Sequence, residues 1–123
     1  MNHCLTPISL GELFDKYSIL EIKKERIHDE NKRKIVQNEM DYLKPFIDAH
    51  NLDVDLWKTM KTVNEELWDI EERIREKEKM QSFDQEFIEL ARKVYITNDE
   101  RCRVKNRINE YLHSDIKEIK SYV

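Results

Sequence analysis

Asn98, Arg101 and Lys105 recur at intervals of three and four, the spacing that stacks side chains on one face of a helix. At about 100° per residue they share that face with Phe87, Leu90, Ala91, Val94, Ile108 and Leu112. The stripe is apolar at its ends and carries an amide, a guanidinium and an ammonium in its middle. An unpaired cation is costly to bury. The stripe therefore predicts one of two environments. Either Arg101 and Lys105 meet carboxylates of the first or third helix, such as Glu12, Asp69 or Glu71, or they line a wet cationic cleft for a phosphate or carboxylate ligand. Arginine suits the second, because its planar fork takes two anionic oxygens at once. A third reading is a surface helix whose inner face lies elsewhere.

Trp68 and Arg75 stand about two turns apart on another helix. An indole and a guanidinium so placed could stack a planar ring and clamp its anionic group, or simply pack a subunit interface. Carboxylates offer a different chemistry. Glu12 and Asp15 read E-x-x-D, and Glu65, Glu66 and Asp69 read E-E-x-x-D. Helical nucleotide pyrophosphohydrolases hold Mg²⁺ with carboxylates at such spacings. The alternative metal reading therefore takes Glu12, Asp15, Glu66 and Asp69 as ligands, although their order departs from that family's arrangement. His3, His28, His50 and His113 are scattered, and nothing resembles a nucleophile elbow or a Gly-rich phosphate loop. The lone Gly11 lies in the first turn of a helix, where free amides can receive an anion.

The residues between these positions must form helices. The chain of 123 residues has one Gly, two Pro and 39% charged side chains, mostly interleaved Glu and Lys. That composition predicts a single all-α domain over 1–123. A formal charge of −4 argues against bulk nucleic-acid binding. With no signal segment and no apolar run able to span a bilayer, the expected location is cytoplasmic, with no membrane partner. Cys4 and Cys102 are then free thiols.

Ser9 and Glu12 form a capping box that opens a first helix, with Ile8 stapled onto Leu13. Leu13, Tyr17, Leu20 and Ile27 face one way, Ile19 and Ile22 the other. A helix apolar on two sides is central in its bundle or shared with another subunit, and it should run to about Asp29. A second helix is expected over Lys32–Ala49 with Ile35, Met40, Leu43, Phe46 and Ile47 inward, kinked or ended by Pro45. A third spans Val54–Met80 on a near-heptad seam of Leu56, Met60, Val63, Leu67, Ile70 and Ile74. Ser82 and Gln85 cap a fourth, and a further box at Thr97 and Glu100 predicts a break near Asn98. The tail after His113 could add another helical turn.

Ile8–Ile27, Val63–Arg75 and Phe87–Asn109 resemble an uncharacterised family of small helical proteins. Its marks are a GEL-x-DK start, an LWDIE core, an AR-x-VY-x-x-ND-x-R stretch and a Lys-Ser-Tyr tail, here Lys120–Ser121–Tyr122. The resemblance carries no assigned chemistry. It singles out Glu12, Asp15, Lys16, Trp68, Asp69, Tyr95, Asn98, Asp99, Arg101 and Lys105 as motif positions. It also implies a helix-capping glycine where this chain has His113.

The sequence thus predicts an antiparallel bundle of four to five helices, assembled as a homo-oligomer. The favoured function is non-catalytic binding of a small anionic, nucleotide-like metabolite, by sequestration in the manner of some viral proteins. Arg101, Lys105, Arg75 and Lys16 would meet its charge, Trp68 or Tyr95 its ring, and Asn98 a polar edge. No cofactor is expected under that reading. The alternatives are a scaffolding bundle with internal ion pairs and a Mg²⁺-dependent pyrophosphohydrolase.

Overall fold

Ser9 opens the first helix through its side chain, whose Oγ accepts a hydrogen bond from the Glu12 amide at 3.0 Å. The computed structural model describes residues 2–121 and carries four helices among them: α1 (Leu10–Arg26), α2 (Glu30–Asp48), α3 (Val54–Lys79) and α4 (Gln85–Tyr111). Each begins on a side-chain cap that satisfies an amide with no partner within the helix. The caps are Ser9, Asp29, Asp53 and Asp84. Asp29 therefore begins α2 rather than ending α1. In the same way Asp84, not Ser82, caps α4.

Three expectations about the helices change. Pro45 neither ends nor replaces a turn of α2, which continues to Asp48. The helix carries the proline at the cost of the one backbone hydrogen bond that it cannot donate. The inward face of α2 is Val36, Met40, Leu43 and Ile47, so Met40, Leu43 and Ile47 point inward as expected, whereas Ile35 is 68% exposed and Phe46 49% exposed. α4 runs unbroken through Asn98, because Thr97 is buried against its neighbours instead of capping a new segment.

α1 packs against α2, α3 and α4, and α3 packs against α4. That central place explains why α1 is apolar on two sides, with Leu13, Phe14, Leu20 and Ile22 all buried. The main core joins Leu13 and Phe14 to Leu56, Met60, Val63, Val104 and Ile108. A smaller cluster joins Leu20 to Val36 and Met40. Both clusters draw on residues outside 64–103, so the C-terminal part of α3 and the N-terminal part of α4 form a hairpin end with little core of its own. Ion pairs hold that end: Lys77 with Asp84 at 2.8 Å and Arg73 with Glu86 at 2.6 Å.

After α4 the chain turns back. His113 takes a positive φ of 56°, and the Ser114 amide donates to the Asn109 carbonyl at 2.8 Å. This is the left-handed helix stop that glycine usually supplies. The tail then lies along α4 without forming another helix, and Tyr122 of the Lys-Ser-Tyr motif lies outside the described residues.

Candidate functional site

Capping and phase place Glu12 and Asp15 on the α1 face that meets α4. Gly11 sets the distance. A Cβ on Gly11 would collide with the Lys105 carbonyl and stand 3.0 Å from Asn109 Oδ1. With only hydrogen there, the Gly11 amide donates to Asn109 Oδ1 at 2.6 Å. Leu10 donates its amide to Ser114 Oγ at 3.1 Å. The amides expected to receive an anion at the start of α1 are thus taken by the chain itself.

One turn further on, Asp15 is wholly buried. Its Oδ1 accepts from Arg101 Nε at 2.8 Å and its Oδ2 from Arg101 Nη2 at 2.5 Å. Asn64 Nδ2 adds a third donor to Oδ1 at 2.9 Å and also reaches Ser18 Oγ at 2.7 Å. The Asp15 hydrogen bond holds the Arg101 guanidinium above the usual arginine range, against the opposing effect of its burial. Lys105 donates to Glu12, lies 3.2 Å from Glu118 and 4.0 Å from Asp15. Burial alone would depress its pKa. The Glu12 hydrogen bond and the charges of Asp15, Glu12 and Glu118 outweigh it, so the ammonium is held above the ordinary lysine value.

Beside this network, a groove of about 370 Å³ runs between α4 and the tail. It brings together four of the expected ligand residues, Tyr95, Asn98, Arg101 and Lys105, with Lys120. It also holds Asp99, paired with Lys120 at 3.0 Å, and Glu118. The three cations are therefore faced by Asp15, Glu12, Glu118 and Asp99. The other expected residues lie elsewhere. Lys16 pairs with Glu39 of α2 at 2.9 Å, and Arg75 is an exposed partner of Glu71 at 3.3 Å. Trp68 donates its indole N–H to Glu72 at 2.8 Å, with the Arg26 guanidinium 6.0 Å from its ring.

The carboxylates of the metal reading are not gathered. Glu12 and Asp15 are engaged by Lys105 and Arg101, Asp69 binds Arg26 at 2.5 Å, and Glu66 is exposed. No group of three or more His, Cys, Asp or Glu side chains able to hold a metal ion occurs among the described residues. The donor set does not fit Mg²⁺, which needs several oxygens around one point.

Sequence reasoning missed Glu118, Asn109, Ser18 and the place of Asn64. Glu118 fastens the tail: its backbone N–H and C=O pair with the Asn106 side chain at 2.9 Å each, and its carboxylate accepts from Ser9 Oγ at 3.0 Å. Periodicity gives no warning of such a contact, because the tail is not helical. Asn109 was legible only as a small polar residue one position from Ile108.

The fold and these contacts define an all-helical protein tied together by buried polar pairs. The chain belongs to the family of unknown function DUF6165, whose profile matches residues 5–123. No curated protein and no solved structure matches it.

Proposed function

We propose that this protein is a non-catalytic helical scaffold, an interaction module whose inward cations are held by acids of the same chain. The observation that carries this reading is the buried Asp15, satisfied by both arms of Arg101 and by Asn64. Among the described residues, no buried side-chain nitrogen or oxygen lacks a hydrogen-bond partner. A polar interior so closed supports the scaffold reading. The contacts Gly11 to Asn109 and Asp15 to Arg101 support an antiparallel run of α1 against α4. Self-association belongs to the same reading, because the hairpin end leaves Met80, Phe83, Ile88 and Tyr95 more than half or about half exposed. The free thiols of Cys4 and Cys102 suit a reducing cytoplasm, and no helix among the described residues is long and apolar enough to cross a membrane.

A second reading keeps the anionic, nucleotide-like ligand in the groove between α4 and the tail. It is favoured by the meeting there of Tyr95, Asn98, Arg101 and Lys105. Against it stand four carboxylates around three cations. Thermal melts separate the two. A scaffold melts at the same temperature with and without millimolar ATP, ADP or a sugar phosphate. A binder gains stability in proportion to the logarithm of ligand concentration over Kd, and Arg101→Ala removes that gain.

A further inference from the structure

At the opposite side of α1 from the Asp15 network, a cleft of about 460 Å³ opens between α1, the end of α2 and the start of α3. Its inner wall is aromatic. Trp57 packs 6.2 Å from Tyr17 with the rings tilted by 48°, and 6.3 Å from Phe14 edge-on. Phe14 is buried, whereas Trp57 and Tyr17 are only half-buried and line the opening.

The rim is charged and leans negative. Lys44 pairs with Asp48 at 2.9 Å, and Lys61 lies 2.7 Å from Glu21 and 2.5 Å from Glu25. Of the residues that line the cleft, two carboxylates, Glu21 and Asp48, face one ammonium group, Lys44, leaving one negative charge in excess; Lys61 and Glu25 stand just outside the lining. The surroundings favour positive charge on both lysines. The Asp48 hydrogen bond and the nearby Tyr17 raise Lys44. Burial opposes the same effect at Lys61, but its Glu21 and Glu25 hydrogen bonds prevail. Exposed indole and phenol faces attract cations through their quadrupoles, and an excess carboxylate adds a field of the same sign.

We propose that this cleft is a binding site for a small organic monocation of the alkylammonium class, seated on the Trp57 and Tyr17 rings with Glu21 and Asp48 at its edge. A monocation cancels the excess charge. An anion would meet it, and a neutral apolar group would gain only the aromatic contact. The proposal is independent of the scaffold reading, since it uses none of the residues around Asp15.

The test is a titration of the full-length Trp68→Phe protein, in which fluorescence reports Trp57 alone, with choline chloride at constant ionic strength. The control ligand is 3,3-dimethylbutan-1-ol, which has the same shape without the charge. The proposal predicts a saturable change with a millimolar midpoint and about tenfold weaker binding of the neutral isostere. Glu21→Gln, at a partly exposed position where Lys61 keeps Glu25 as a partner, is expected to weaken choline about threefold. Saturation-transfer NMR on the choline methyl signal gives a readout that does not need tryptophan, and Trp57→Phe should reduce that signal. Equal affinity for the isostere, no saturation below about 100 mM, or an unchanged midpoint in Glu21→Gln would each overturn it.

Discussion

Asp15 on α1 accepts both hydrogen bonds of the Arg101 fork on α4, across 86 positions of sequence. The carboxylate is wholly buried and the arginine side chain is 29% exposed. A bidentate pair fixes both distance and orientation between two helices. It is also demanding, since loss of Arg101 leaves the wholly buried Asp15 carboxylate without its charged partner. The pair therefore acts as a register pin for α1 on α4, with Asn64 doing the same between α1 and α3.

Gly11 is the second determinant of that register. Gly11→Ala drives a methyl group into the Lys105 carbonyl, a backbone atom that cannot step aside. Overpacking of this kind costs about 1–3 kcal/mol, and contact with backbone puts Gly11→Ala at the upper end. Chemical denaturation should show the loss as a lower midpoint with an unchanged slope. Gly11→Ser should be no better.

The helix stops predict gains. His113 and Gln81 hold φ of 56° and 53°, a region that a side chain enters at about 1–2 kcal/mol. Gly carries some of that back as chain entropy. His113→Gly and Gln81→Gly should each stabilise the protein by about 0.5–1 kcal/mol, read as a melting temperature raised by a few degrees. The two sites close different helices, so the double variant should be additive.

Alkaline pH should loosen the same helix contact. Lys105 is held above its ordinary value by Glu12, Asp15 and Glu118 despite burial. A pKa raised by folding contributes stability that is complete below the unfolded value, about 10.4. That contribution is lost as pH climbs through the higher folded value. Wild-type stability should thus fall above about pH 10.4. The Lys105→Met variant should start lower near neutral pH, and its gap to wild type should narrow as the solution becomes more alkaline. Urea melts across that range check both statements.

Most of the helical frame could be read from sequence, because capping and periodicity are local. Ser9 with Glu12, and Leu56 with Met60, Val63 and Leu67, signalled α1 and α3 correctly. The inner face of α4 was harder. The stripe through Asn98, Arg101 and Lys105 runs along the edge of the buried face, whose centre includes Thr97 and Val104. A one-helix pattern cannot tell an edge from a centre when polar residues are buried in pairs. The pairing of Lys105 with Glu12 was among the expected outcomes, but Asp15 and Glu118 were not named as partners. Their role depends on how α1 and the tail are laid against α4, which no spacing within either segment records.

A double-mutant cycle at Asp15 and Arg101 measures directly whether Arg101 serves the interior of its own chain. Unfolding free energies would be compared for wild type, Asp15→Asn, Arg101→Met and the double variant, without any added ligand. The prediction is that Arg101→Met, which strands the buried carboxylate, destabilises by about 3–5 kcal/mol, and that Asp15→Asn, which leaves a partly exposed guanidinium, costs less. The double variant should be less damaged than their sum by at least about 2 kcal/mol. An Arg101→Met protein within about 0.5 kcal/mol of wild type, or additive single effects, would contradict it.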